Sequence, residues 1–299
     1  MYTLYGFPVS NYFNMVKLAL LEKGLPFEVS TLHGSQSEEC LRISPRGKVP
    51  VLGVEGGHIN ETSAILEYLE EHGAGKSLLP SEPFARAQVR SLMKEIELYI
   101  ELPARLGYPQ AFFGMAIPES LKARCEAELL AGIATLKRHG RFTPYVAGDS
   151  FTLADIYFLY SIDLACLVGK KLFDRDLLAD FPAARDLLAR LNDNPHVKAI
   201  AADKDADMPN FLAMVRARAD TPGQPVRHGP FFERWEADAD GVDWLERTVS
   251  PERDWLLSEH RLTSGTALLP GTGYIELIVE AAREYGLPSQ LTISDLVFL

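Results

Sequence analysis

The chain has 299 residues, 47% of them hydrophobic and 24% charged, and Asp+Glu 41 against Lys+Arg 30 gives a formal net charge of -11. A surface that acidic repels phosphate backbones, so nucleic-acid binding is not expected. MYTLYGFPVS lacks a basic start ahead of an apolar run, and IYFLYSIDLACLVG is cut by Asp163 and too short for a bilayer, so neither a secretory leader nor a membrane span is expected.

Cys40, Cys125 and Cys166 lie far apart with no paired spacing. That pattern indicates neither a disulfide framework nor a metal site, and the reading is a cytoplasmic, reduced protein.

YTLY reads as a short strand, and Phe13, Val16 and Leu20 share one face of a following helix that stops at Gly24 before Pro26. PFEVST is a second strand. VPVLGV and GGHI form a hairpin around Glu55-Gly56-Gly57, ahead of a helix through SAILEYLEEH. The order β-α-β, an intervening segment, then β-β-α describes a small α/β layer domain.

From about 83 to 201 the pattern is helical throughout: ARAQVRSLMKEIELYIEL, ESLKARCEAELLAGIATLKRH, TLADIYFLYSIDLACLVG and AARDLLARLND. The third is apolar nearly all round, which marks the buried centre of a bundle. In FTLAD, Thr152 can cap the N–H of Asp155 while Asp155 reaches back, and Phe151 can pack on Ile156. This reads as a folding device. RADTPGQPV, residues 218–226, is a breaker cluster and a linker candidate. Beyond it, RWEADADGVDWLERTV reads as two strands joined at Asp240-Gly241. A helix carrying Tyr274, Leu277, Ile278, Ala281, Ala282 and Tyr285 follows, then a last strand, LTISDLVFL.

An enzyme that uses a thiol must hold the thiol's carrier, stabilise the thiolate and leave room for an electrophile, because the thiolate is the nucleophile. Ser10 stands where the first strand meets the first helix. Its hydroxyl can donate to a sulfur anion at the positive end of the helix dipole, or can simply cap the helix. Pro50 cannot donate to a ladder, so it marks an edge or a turn. With a cis bond there, the N–H and C=O of Val49 turn outward and can pair with an extended peptide-like ligand. Glu61 and Thr62, just before a helix, can hold an amino-acid head group or serve as caps.

YGFPVSNYFNMVKLALLEKGLPFE, SPRGKVPVL, NETSAILEYL and GDSFTLAD, in this order, resemble the glutathione S-transferase family over residues 1 to about 215. The resemblance implies a fold of class α/β plus all-α. A thioredoxin-like glutathione-binding domain (1–80) is followed by an all-helical domain (83–215) forming the second-substrate pocket, and the whole forms a homodimer. It also implies glutathione as co-substrate, with Ser10 facing its sulfur. Val49 beside cis-Pro50 would pair with the cysteinyl backbone, Glu61 with Thr62 would bind the γ-glutamyl end, and Lys48 would add a contact to the glycyl carboxylate. Thr62 stands where many members have serine. Tyr5 and Tyr12 are alternative thiolate donors, since other branches use tyrosine, and Tyr108, Phe112 and Phe113 could line the electrophile pocket. No cysteine is near residue 10, which argues against a mixed-disulfide version.

His260 precedes Ser264-Gly265 and Pro270-Gly271, with a helix starting near Thr272. A base that removes a proton beside a thioester carbonyl needs a dry slot, a fixed imidazole and a donor for the oxygen. HGPFF, RWEADADG, VSPERDWLLSEHRL, LLPGTGYIEL and ISDLVFL resemble the start of a polyketide synthase dehydratase domain, a double hotdog. The resemblance implies loss of water from a β-hydroxyacyl thioester on an acyl carrier protein, with His260 as general base. The spacing from His260 to Pro270 runs one residue longer than the family's simple motif.

The expected layout adds a linker (216–226) and a partial α+β hotdog (227–299), without the family's acidic partner from the second hotdog. The expected function is a glutathione transferase-like enzyme that activates the thiol for conjugation or isomerisation of a small electrophile, fused to the start of a dehydratase. The alternative places the activity in the dehydratase, with the front half as a non-catalytic dimerising or docking module.

Overall fold

The computed structural model describes residues 1–220, 234–237, 243–246 and 277–282. Contacts divide the chain into two units, Met1–Ala213 and Met214–Leu299.

In the first unit, β1 (Tyr2–Gly6) buries Leu4 and leads into α1 (Asn11–Lys23). Gly24, at φ 66, ends the helix and returns its N–H to Leu20 and Leu21, the left-handed stop that favours glycine. β2 (Phe27–Thr31) lies parallel to β1, while β3 (Val51–Val54) and β4 (Gly57–Asn60) run antiparallel, in the order β2-β1-β3-β4. The anticipated hairpin is present, with Val54 opposite Gly57. α3 (Thr62–His72) then packs Ile65, Leu66 and Leu69 into the core. The intervening segment forms a six-residue helix, α2 (Glu38–Ile43), capped by Ser37. It is too short to show a period in the sequence, and the cap, not an apolar stripe, defines it.

The helical half comprises α4 (Pro83–Ile96), a π-helical turn (Glu97–Glu101), α5 (Leu102–Phe113), α6 (Glu119–His139), α7 (Leu153–Phe173), α8 (Pro182–Asn192) and α9 (Pro195–Asp220). The expected central helix is α7, where Ile156, Tyr157, Phe158, Ile162 and Ala165 are fully buried. Its capping box forms at Thr152 and Asp155, and Phe151 meets Tyr145 edge-on at 5.9 Å.

α5 was not legible because Pro103, Gly107 and Pro109 read as breakers. Packing overrides that: a Cβ on Gly107 would sit 2.8 Å from Val168 and from Leu172 of α7, so only glycine allows the helices to approach. The π turn has a local cause as well. Pro103 has no N–H to give the Tyr99 carbonyl, and the helix takes up the slack by widening. Gly132 of α6 presses close to that same carbonyl, 2.0 Å from where its Cβ would be.

α9 continues to Asp220, into the breaker cluster read as a linker; residues 221–226 lie outside the described residues. In the second unit, β5 (Arg234–Ala237) pairs antiparallel with β6 (Asp243–Glu246), and residues 277–282 are helical. The anticipated turn at Asp240-Gly241, His260 with its glycine bend, and the final strand lie outside the described residues. Among the described residues no helix is long and apolar enough to cross a membrane, and no cluster of metal-ligand side chains occurs.

Candidate active site

The first wall of the site is the turn between β1 and α1. Ser10 is half-buried with extended φ and ψ of -74 and 116, and its N–H donates to the Phe7 carbonyl at 3.0 Å. Its Oγ accepts the N–H of Phe13 at 3.4 Å. A hydroxyl carries one donor and two acceptor sites, so capping uses a lone pair and leaves the O–H available. The two readings of Ser10 are therefore compatible.

The second wall is the segment before β3. The buried Ser44 hydroxyl accepts the Lys48 N–H at 2.9 Å and donates to the Lys48 carbonyl at 2.7 Å, which pins the chain ahead of Val49. The Val49–Pro50 bond is cis. The N–H and C=O of Val49 pair with no described residue, and Lys48 is exposed.

The third wall is the entry to α3. Asn60 Nδ2 donates to the Ile43 carbonyl at 3.1 Å and ties the two loops together. Glu61 follows with φ 68 and ψ 121, a strained backbone for a residue bearing a Cβ. Its exposed carboxylate makes no capping bond, which removes capping as the reason for its presence. Thr62 opens the helix and is buried, with no hydrogen bond to its hydroxyl among the described residues.

These walls meet around a cleft of about 520 Å³, lined by Lys48, Val49, Pro50, Glu61 and Thr62 together with Tyr12, Arg46 and Glu97. Ser10 is not in that lining; Tyr12, two residues along α1, is. Burial first, and then the charge of Glu101, push the Tyr12 hydroxyl well above the usual tyrosine range against the pull of Arg105. It is thus a reluctant proton donor. Tyr5 lies edge-on to His58 at 5.7 Å. Burial raises the Cys125 thiol to about 11 and the Cys166 thiol to about 12, and neither lines the cleft.

Two groups of residues escaped the sequence reading. Asn11 Nδ2 donates to the fully buried Glu101 at 2.8 Å, while Arg105 donates through Nε to Glu101 at 2.7 Å and through Nη2 to Asn11 Oδ1 at 2.8 Å. The four-residue spacing of Glu101 and Arg105 on one helix was the available signal. The second group is aromatic. Tyr108 meets Phe112 at 5.1 Å, Phe112 meets Phe113 at 6.5 Å, Phe113 meets Phe211 at 6.3 Å, and Phe211 stacks on Phe7 at 5.6 Å. The three aromatics singled out in the sequence thus belong to a ring-to-ring path ending three residues before Ser10.

A four-stranded layer with a cis-proline at the edge of its site, followed by a helical bundle, defines a thioredoxin-like domain joined to an all-helical one. Residues 4–77 match the family model described as glutathione S-transferase, N-terminal domain, and residues 128–204 match the C-terminal domain. A glutathione S-transferase of Pseudomonas putida is 58% identical over 217 residues, covering 73% of this chain and 99% of the relative.

The fold is similar to a crystal structure of a glutathione S-transferase from Pseudomonas fluorescens (TM-score 0.55, 28% identity, 65% of this chain and 96% of that one). It is also similar to a maleylacetoacetate isomerase from Methylobacterium extorquens with malonate and GSH bound (TM-score 0.54, 27% identity, 66% and 95%). The chain belongs to the glutathione S-transferase family, and is a glutathione S-transferase-like enzyme with glutathione as its co-substrate. Residues 233–299 match the family model described as polyketide synthase dehydratase domain.

Proposed function

We propose that the 520 Å³ cleft is the glutathione site and that the enzyme activates the bound thiol for conjugation or isomerisation of a small electrophile. Val49 pairs with the cysteinyl backbone through its N–H and C=O, beside Pro50. Glu61 and Thr62 hold the γ-glutamyl end at the N-terminus of α3, where the helix dipole adds to the carboxylate's hold on the ammonium's partner carboxyl. Lys48 faces the glycyl carboxylate. The Ser10 O–H donates to the sulfur, which lowers the cost of releasing the thiol proton to water.

In conjugation the thiolate forms a C–S bond at the electrophilic carbon, and either the leaving group departs with the electron pair or the resulting carbanion takes a proton. In isomerisation it adds to a conjugated double bond, the bond rotates, and the thiolate is expelled unchanged. The observation that carries this reading is that five polar or peptide-pairing positions from two loops line one cleft with their bonding capacity unspent. The test is retention on immobilised glutathione, followed by titration of the bound thiol. A thiol that titrates as it does in water, or no retention, refutes it.

Two copies pack as a homodimer through the α4–α6 face. Leu98, Tyr99 and Leu130 are 46%, 55% and 40% exposed there, beside a groove between Tyr99, Pro103 and Gly132. With Cys40, Cys125 and Cys166 all free thiols, the reading places the protein in the reducing cytoplasm. The division at 1–80, 83–215, a linker at 216–226 and 227–299 belongs to the same reading.

A second reading is favoured by the dehydratase match over residues 233–299. In it His260 is the general base of a dehydratase acting on β-hydroxyacyl thioesters held by an acyl carrier protein, and the front half docks or dimerises. Loss of dehydration but not of glutathione turnover in His260→Ala would support it.

A further inference from the structure

Arg105 is placed in a way that the glutathione reading does not use. Its Nε and Nη2 are committed to Glu101 and Asn11, whereas Nη1 forms no hydrogen bond with a described residue. The guanidinium carbon lies 4.7 Å over the Tyr12 ring and 5.4 Å over the Tyr108 ring. Tyr12 lines the cleft, and Tyr108 begins the aromatic path that ends at Phe7. Asn11, its second partner, is the residue after Ser10. The side chain is 36% exposed while its counter-ion Glu101 is fully buried, so the pair presents its cationic end outward.

A planar, weakly hydrated cation fixed by two bonds and bracketed by two rings has lost its rotamer freedom before any ligand arrives. Its natural complement is a planar carboxylate attached to a flat, conjugated body that the neighbouring rings can stack on. An ammonium or a neutral carbonyl would gain far less. We propose that Arg105 makes this enzyme selective for electrophiles that carry a carboxylate on a conjugated or aromatic frame, read next to the carbon that the thiolate attacks. The inference rests on the cleft being the glutathione site.

The test compares the dissociation constants of S-(4-carboxy-2-nitrophenyl)glutathione and its carboxamide, which share the peptide and differ only in charge, by calorimetry on the full chain. The carboxylate is expected to bind about ten- to a hundredfold more tightly, the range of a charge-assisted hydrogen bond. Removing Arg105 alone would strand the buried Glu101, so the variant is the pair Glu101→Gln with Arg105→Gln. It should bring the two ligands within about threefold of each other, with most of the loss falling on the carboxylate. Arg105→Lys, which keeps the charge but not the planar fork, should fall between.

Equal affinity of the wild type for both ligands overturns the selectivity while leaving the glutathione site standing. Equal losses of both ligands in the paired variant do the same, since they report a structural role. Failure of the wild type to bind either ligand overturns the glutathione reading itself and this inference with it.

Discussion

Asp155 accepts the backbone N–H of Val146 at 2.8 Å, with both groups sealed in the interior. The same carboxylate takes the N–H and the hydroxyl of Thr152, at 2.8 and 3.1 Å. One side chain therefore closes the start of α7 and ties the preceding loop to it. Burial nonetheless outweighs these bonds and raises the carboxyl from its usual 3.8 to about 6. The folded state thus favours the protonated form. Its contribution to stability is complete below about pH 4 and is lost as pH rises through about 6, by on the order of 2–3 kcal/mol. Asp155→Asn should destabilise the protein by about 1–3 kcal/mol through a lost acceptor. The wild-type advantage over this variant should shrink between pH 4 and 6, measured by urea unfolding. A difference that is flat or grows over that range would contradict the assignment.

Ser10 is expected to separate capping from chemistry. Ser10→Ala should cost about 1 kcal/mol of stability, as a lost N-cap does, and about 10²- to 10³-fold in kcat/KM, as a lost anion donor does. Ser10→Asp keeps a capping acceptor but sets a negative charge against the thiolate, so stability should hold while activity falls. Parallel loss of both properties in both variants would reduce Ser10 to a cap. Thermal melts and steady-state kinetics with a generic electrophile decide.

Glu61 is held at φ 68 without a bond to justify it inside the protein. Glu61→Gly relieves the backbone but frees the unfolded chain, leaving a net gain of up to about 1 kcal/mol. Glutathione affinity should meanwhile drop about tenfold or more, because a charged partner is gone. Opposite signs in melting temperature and affinity are the signature to look for. A variant that binds as tightly as the wild type removes Glu61 from the site.

Tyr99 stands 55% exposed on the π turn. Tyr99→Glu places a charge in the proposed interface between copies and should convert a dimer to a monomer, with the isolated fold intact, since the side chain supports no core contact there. Light scattering coupled to gel filtration reads this directly. A monomeric wild type ends the homodimer proposal.

Much of the first unit was legible because its signals are local. The stop at Gly24, the hairpin turn, and the Thr152–Asp155 box each act within a few residues and appear where the pattern put them. α2 and α5 were hidden because their reasons lie elsewhere: a serine cap in one case, and in the other a glycine facing α7 across residues that otherwise read as breakers. In the site, Glu61, Thr62, Lys48, Val49 and Pro50 share a cleft that their linear order hinted at. Arg105 was invisible because its bond to Asn11 joins positions 94 apart in the chain, and nothing near either residue announces the other.

The widened turn at Glu97–Glu101 acts as a phase shifter along an otherwise continuous rod. Upstream of it Glu97 looks into the cleft; at its end Glu101 is sunk in the interior, and Arg105 lies one turn beyond. Deleting a single amino acid from this stretch would restore ordinary pitch and swing everything after it through about 100°. The guanidinium would leave its two rings, while the bundle could still collapse. Length at this one spot is therefore tuned to what the enzyme accepts, and a change there would be felt as altered selectivity before it was felt as unfolding.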